Sequence, residues 1–463
     1  MKNLINNSQG SAIPHRKSKQ LISILVVTLI SMAVSQETYT QTSIQNFAPK
    51  PPLGFNSFDS YRSDLTADMA YALMDVMAEK YLPFGYEYFV MDAGWYTTMN
   101  PAKHKGLGLE SFGMCVVNPE RFPNGIKVLI NHAHKKGLKF GVWMMRGISK
   151  EAVKQNLPIP GTKYFSRDIA DTNSICVWSG MNYGVDMTKP GAQQYYNTII
   201  DTLASWGIDF IKVDDIVPNP QEIIAIANAI ENSKHTMIYS LSPGDVHHSA
   251  HLQYYKRANM LRITRDIWDN PLSIEKGFFA WEKFQSISGP GFWPDLDMIP
   301  FGRLDVINED ARKSNFNEDQ MKTFITQRAM AASPLIIGGD LLTMDDFSKL
   351  LLTNREMLAC NQNGVMGVNV YRAGNVDVWL TPHRNDPRMG WIGIFNRTTS
   401  DRKVTLTKQD LGFIAFEESY NLMAASQRFL LKDVWSGKDI TITDNYTFTL
   451  PAEGVAFFKF QMQ

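Results

Sequence analysis

The chain has 463 residues, 44% of them hydrophobic, and 46 basic side chains against 46 acidic ones. That content fills a large core and points to two domains. The balanced charge, with no basic stripe interleaved with aromatics, sets nucleic acid aside as a partner. Ten tryptophans and seventeen tyrosines suit sugar stacking, but they suit ordinary cores equally well.

The first element is a leader. HRKSK (His15–Lys19) precedes LISILVVTLISMAVS (Leu21–Ser35), a basic segment followed by an apolar one, with small residues at Ala33 and Ser35. The run falls short of the roughly 20 residues that span a bilayer, and polar QETYTQT follows. A cleaved signal peptide over residues 1–35 is expected, then a linker over 36–50. Export to the periplasm or the medium follows, with no membrane attachment after cleavage; an uncleaved anchor is the alternative. Cys115, Cys176 and Cys360 cannot all pair within one chain. A Cys115–Cys176 bridge and unpaired buried thiols both stay open.

From Pro51 to about residue 360, short apolar runs alternate with helical stretches. The runs are PLGFNSF, YEYFVMDAGW, LKFGVWMM, DFIKVDDI, TMIYSLSP, NMLRITRDI, GFWPDLDMI and SPLIIGGDL. Eight such units in about 300 residues predict a (β/α)8 barrel, with a doubly wound open sheet as the alternative. Pro123–Gly137 places Ile126, Leu129, Ile130 and Ala133 at helical spacing, and Pro190–Gly207 starts with proline and ends with glycine. Over 361–463 the texture changes to β-rich runs broken by polar turns: VDVWLTPHR, GWIGIFNRT, KVTLTKQDL, YNLMAAS, RFLLKDVWSG, ITITDNYTFTL and GVAFFKF. That pattern predicts an antiparallel β-sandwich.

Barrel enzymes take their reactive groups from the C-terminal ends of the strands. Carboxylates recur there: Asp92, Asp214 and Asp215, Asp266 and Asp269, Asp295 and Asp297, and Asp340. A single such aspartate can cap the next helix; a series on five strands asks for another reason. Lys212 and Asp214 share parity along one strand, and Arg262, Thr264 and Asp266 along another. Buried charges need partners, so these pairs predict either a polar pocket at the barrel mouth or internal salt bridges that fill it. Glycoside hydrolysis uses two carboxyl groups on one cleft. One stays ionised to attack, as Asp214 beside Lys212 would; the other is protonated to free the leaving group, as Asp266 beside Trp268 would be. A divalent ion on Asp92, Asp214 and Asp215 is a weaker reading. His247, His248 and His251 are read as polar loop residues before a metal cluster.

These motifs resemble glycoside hydrolase family 27, the α-galactosidase (melibiase) family of clan D. PPLGFNSFDSY resembles its P-P-[ML]-G-W-N-S-W and YEYFVMDAGW its Y-x-x-[IV]-D-D-x-W. VNPERFPNGIKVLINHAHKKGLKFGVW follows D-P-x-[RK]-F-P-x-G-[IL]-K…H-x-K-G-L-K-[FL]-G closely. WGIDFIKVDD, RITRDIWD, FWPDLDMI and SPLIIGGDL resemble the segments carrying its nucleophile, its acid/base and its last two strands. The resemblance implies a retaining exo-glycosidase with nucleophile Asp214 and acid/base Asp266. It implies Lys212, Arg262 and Asp92 on the sugar hydroxyls, and no cofactor or metal. Trp95, Trp143, Trp178 and Trp293 are expected to line the pocket, with Asp295 on strand 7. Trp95 and Trp293 are favoured because they adjoin strand-end aspartates.

Three positions depart from the family. Ala93 replaces a second Asp that grips galactose hydroxyls, Phe55 replaces a pocket-wall Trp, and Ser242 stands at a sugar-contacting Glu. Terminal α-galactosides are the expected carbohydrate substrates, with α-N-acetylgalactosaminides and β-L-arabinopyranosides as alternatives. A sugar-binding protein without catalysis and a metal-dependent barrel hydrolase are the rivals from other classes.

Overall fold

The computed structural model describes residues 43–96, 109–176, 178–243, 249–285, 287–413 and 428–463. The expected signal peptide, the first seven residues of the linker, His247, His248 and the YNLMAAS run lie outside them.

The eight apolar runs form eight parallel strands: β1 Leu53–Asn56, β2 Tyr88–Met91, β3 Lys139–Met145, β4 Phe210–Asp214, β5 Ile238–Leu241, β6 Met260–Arg262, β7 Trp293–Asp295 and β8 Leu335–Ile337. They are hydrogen-bonded in the order β7-β6-β5-β4-β3-β2-β1-β8. The segment after β7 closes the ring. Ile299 N donates to Ile336 O at 2.8 Å and Gly338 N to Ile299 O at 2.9 Å, bridging to β8. Closure without a reversal of strand order excludes the doubly wound alternative.

Side-chain alternation sorts the barrel residues. Ile211 and Val213 of β4 point outward into the core under the helices. Phe210 points inward, where it packs with Tyr88, Val90, Met260, Trp293 and Ile336. Gly141 of β3 makes room for this layer, since a Cβ there would stand 2.8 Å from Phe210 Cβ and 3.1 Å from Val90 Cγ2. Two residues further along each strand, about 6–7 Å up the barrel, the inward positions turn polar. Asp92 follows Val90, Lys212 follows Phe210, Arg262 follows Met260 and Asp295 follows Trp293. Apolar side chains therefore fill the floor, and charges gather at the mouth.

Two outer helices show how the caps act. Helix Lys127–Lys135 buries Leu129, Ile130 and Ala133 as its spacing predicts, but begins later than Pro123. Helix Ala192–Trp206 lies between Gly191 and Gly207, both left-handed, so Pro190 precedes the cap instead of opening the first turn. A feature not anticipated is a small antiparallel sheet between β3 and β4, built from Ile148–Ser149, Ala170–Ile175 and Asn182–Val185. The turn between its last two strands carries Trp178. Cys115, Cys176 and Cys360 are all unpaired, which closes the question of a Cys115–Cys176 bridge.

The C-terminal part contains β9 Val368–Ala373, β10 Val376–His383, β11 Asp386–Asn396, β12 Arg402–Thr407, β13 Phe429–Asp433, β14 Asp439–Ile442, β15 Asn445–Leu450 and β16 Val455–Met462. β9 was not foreseen, and ITITDNYTFTL divides into β14 and β15. Six strands form one sheet and β12 pairs with β15 in another. Val378, Ile392, Leu406, Phe448 and Phe458 fill the space between the sheets, which makes a sandwich. This domain grips barrel helix Pro271–Lys283. Trp281 stacks on Trp379 with ring centroids 3.7 Å apart, and Phe278 meets Phe395 edge-on at 4.9 Å. Beside them the buried Asp377 accepts from Arg397 Nη1 at 2.8 Å and Arg372 Nε at 2.9 Å. The same arginines reach Glu275 and Glu282 of the helix.

Candidate active site

The mouth of the barrel opens as a cavity of about 310 Å³ that Asp92, Trp143, Lys212, Asp214, Arg262 and Asp266 line together. These six side chains, all expected at the site, therefore share one space. They come from β2, β3, β4, β6 and the turn after β6.

Asp214 ends β4. Its Oδ2 accepts a hydrogen bond from Trp143 Nε1 at 3.1 Å and its Oδ1 one from the Asp215 backbone N–H at 3.2 Å. The Trp143 ring is fixed from behind by Tyr96, stacked 5.9 Å away. One rung lower, Lys212 Nζ donates to Asp92 Oδ2 at 2.9 Å. Burial by itself would weaken the lysine's hold on its proton, but the carboxylates of Asp92 and Asp214 outweigh it and push the group above the usual lysine range. Both oxygens of Asp92 are engaged: Oδ2 also takes Asn56 Nδ2 at 2.7 Å and Oδ1 the Ala93 N–H at 2.7 Å. Across the mouth, Arg262 Nη2 donates to Asp266 Oδ1 at 2.6 Å, and its Nη1 lies 3.6 Å from Asp297 Oδ1. The Asp266 side chain is 72% exposed, on the open side of the cavity where a leaving group would depart. Asp214 is more sheltered, deeper in the mouth.

Asp215 belongs to another network, as its parity predicts. It turns away at φ +60° and accepts from Arg146 Nε at 3.0 Å, while Arg146 Nη1 holds Glu222 at 2.8 Å. A metal set of Asp92, Asp214 and Asp215 is therefore not assembled. His251 packs against Tyr254 and Tyr255, away from the cavity.

Four expected contacts need correction. Trp95 is 1% exposed and does not face the cavity; it lies behind the wall, where Nε1 donates to the Trp143 carbonyl at 2.6 Å. The preceding Gly94 causes this. It adopts φ +106°, and a Cβ there would fall 2.1 Å from Ser63 O, so the chain turns under β1 and carries the indole outward. Ser242 and Asp295 lie beneath the open cavity, around a pocket of about 20 Å³, room for about one water. Trp293 belongs to the floor, its Nε1 donating to Ala48 O at 2.9 Å. Trp178, less favoured, does line the cavity and is 48% exposed. Asp269 and Asp340 are structural: Asp269 accepts from Arg312 and the Asn315 N–H, and Asp340 from Tyr61 Oη and the N–H groups of Leu342 and Thr343.

Asp295 is fully buried, and its acidity changes accordingly. Burial first, then the neighbouring Asp297 charge, push its carboxyl up to about 7. The folded protein thus holds a proton there that the unfolded chain has released above about pH 4. Stability from this group is complete below that pH and is lost as pH rises through 7. Asp295→Asn keeps an acceptor for the Asp297 N–H at 2.9 Å and removes the titration. Its melting temperature relative to the wild type is expected to climb from pH 4 to pH 7 and then level off. A difference that stays constant over this range would contradict the assignment.

Asp59 and Asp297 also line the cavity and were not assigned roles from the sequence. Asp297 lies in a loop at φ +72° and holds the turn that carries Asp266, its Oδ2 accepting from the Ile267 N–H at 2.9 Å. Arg62 stacks over Trp268, 4.5 Å from its ring, at the rim.

Comparison with known proteins places the chain among carbohydrate-cleaving barrel enzymes. Residues 29–247 match the melibiase family, 171–363 the α-galactosidase A family, and 373–460 the α-galactosidase C-terminal β-sandwich domain. The β-L-arabinopyranosidase of Geobacillus stearothermophilus, a family 27 enzyme, superposes with a TM-score of 0.83 at 33% identity, covering 90% of this chain and 98% of that one. A putative α-N-acetylgalactosaminidase from Bacillus halodurans gives 0.78 at 30% identity, covering 89% and 97%. An α-galactosidase of Cyamopsis tetragonoloba is 27% identical over 369 residues, 78% of this chain and 76% of its own length. The chain belongs to glycoside hydrolase family 27. It is a glycosidase, and its substrate is a carbohydrate.

Proposed function

We propose that the protein is a retaining exo-glycosidase acting on terminal, galacto-configured pyranosides, with α-D-galactosides as its first substrates. The observation that carries this is the meeting of Asp214, at the end of β4, and Asp266, in the turn after β6, on one cavity that Lys212 and Arg262 also line. In this reading Asp214 attacks the anomeric carbon and forms a glycosyl ester. Asp266 passes its proton to the departing glycosidic oxygen. The Asp266 carboxylate then takes a proton from water as that water attacks the anomeric carbon, which frees the sugar and regenerates Asp214. Lys212 and Arg262 bind hydroxyls and balance the charge. Trp143 aims Asp214 through its indole N–H. The packed apolar floor beneath the charged mouth closes the barrel below the site, which favours a terminal sugar over an internal one.

A second glycone has a specific observation behind it. Ala93 lines the cavity where the family carries an acidic side chain, and the Geobacillus relative is a β-L-arabinopyranosidase. That sugar has the ring configuration of galactose without the hydroxymethyl group, so it needs fewer polar partners. Nitrophenyl α-D-galactopyranoside, α-N-acetylgalactosaminide and β-L-arabinopyranoside, compared by kcat/KM, decide the glycone. The α-galactoside is expected to be turned over fastest; a preference of tenfold or more, about 1.4 kcal/mol, for the arabinoside would establish the second reading. The apolar leader Leu21–Ser35 supports export to the periplasm or medium as part of the same proposal.

A further inference from the structure

Asp59 lies on the single helical turn Phe58–Tyr61 that follows β1. It is 1% exposed, it lines the catalytic cavity, and its Oδ2 has no hydrogen-bond partner among the described residues. A buried carboxyl oxygen without a partner is costly and rare. Its acidic neighbours are turned to other partners: Asp92 accepts from Lys212, Asn56 and the Ala93 N–H, and Asp297 is engaged by the Ile267 N–H and Arg262. The backbone around Asp59 is nonetheless built to keep it there. Its carbonyl accepts from the Asp305 N–H at 3.0 Å, and Gly338 leaves the space the carboxyl occupies, since a Cβ there would stand 2.1 Å from Oδ2.

β1 and β2 are parallel neighbours, with Asn56 opposite Val90, so the residues that follow them form one wall of the cavity. Ala93 is on that wall and offers no polar side chain. We propose that Asp59 is a specificity-determining sugar ligand of this pocket, supplying from β1 the hydrogen bonds to glycone hydroxyls that Ala93 cannot supply from β2. This rests on the cavity being the glycone site, as proposed above. Burial first, then the Asp297 charge, hold the Asp59 carboxyl well above the usual carboxylate range against the opposing pull of Arg62 and Lys212. This shift favours the protonated form of the carboxyl, which can donate a hydrogen bond as well as accept one.

The test uses the full-length protein, with nitrophenyl α-D-galactopyranoside and β-L-arabinopyranoside as substrates and free galactose and arabinose as binding probes followed by tryptophan fluorescence. If the wild type cleaves neither glycoside, or Asp214→Ala still cleaves one, the reading of the cavity fails, whatever Asp59 does. With that reading intact, Asp59→Leu keeps the shape and removes the polar group, a change that buried sites tolerate well. KM and the sugar Kd are expected to rise about 10- to 100-fold, with kcat changed much less. Adding Ala93→Asp to Asp59→Leu is expected to recover at least about fivefold of that loss, since a carboxylate on the same wall can meet the same hydroxyls. A merely structural aspartate would show no such rescue. Unchanged KM and sugar Kd in Asp59→Leu would overturn the proposal, and a failure of Ala93→Asp to recover affinity would overturn the exchange between the two strands.

Discussion

Asp214→Ala is expected to lower kcat for the cognate nitrophenyl glycoside by a factor on the order of 10⁴–10⁶. The loss is large because nothing nearby can replace the attacking group. Asp92 is engaged by Lys212 and Asn56, and Asp215 faces Arg146 on the other side of the strand. Added azide fits the space left by the carboxylate and attacks the anomeric carbon from the same side. It expels nitrophenolate and yields a glycosyl azide of inverted configuration, so part of the turnover returns. Near-wild-type hydrolysis in this variant would remove Asp214 from the mechanism. Asp214→Asn, which keeps the Trp143 indole N–H paired, separates loss of the nucleophile from disturbance of the wall.

Asp266→Ala is expected to produce a loss that depends on the leaving group. A dinitrophenolate departs without a proton, so kcat/KM for such a glycoside should fall by about tenfold or less. A methyl glycoside or an oligosaccharide releases a poor leaving group and should lose about 10²- to 10⁴-fold. The difference between the two losses measures proton donation itself. Arg262 does not lose its anchor in this variant, because Asp297 Oδ1 remains 3.6 Å from it. Equal losses on both substrates would show that Asp266 binds or positions without acting as the acid.

How much of this was legible in the sequence depended on the kind of signal. The barrel strands were visible because strands buried on both sides are runs of apolar residues, and Lys212 and Asp214 stood out against such a run. The sheet between β3 and β4 was not visible: Ala170–Ile175 reads ADTNSI and is largely exposed, with no apolar alternation. Asp59 was missed for a related reason. It sits on a helical turn three residues past β1, so a search of strand ends passes over it. Trp95 shows the opposite failure. Adjacency to Asp92 suggested the pocket, but one left-handed glycine sent its ring to the far side of the wall. Chain proximity records which strand a residue leaves, while the backbone conformation of the next two residues decides which side it reaches.

The grip of the sandwich on helix Pro271–Lys283 reaches further than cohesion between domains. The helix starts five residues after Asp266, and its Asn270 cap and Ser273 hydroxyl hold the turn, the latter accepting from the Trp268 N–H at 3.1 Å. Asp266 is thus mounted beside an element whose outer face is covered by Trp379, Phe395 and the Asp377-held arginines of the other domain. A substitution in the sandwich face that meets this helix therefore reaches the seat of Asp266 without touching the cavity.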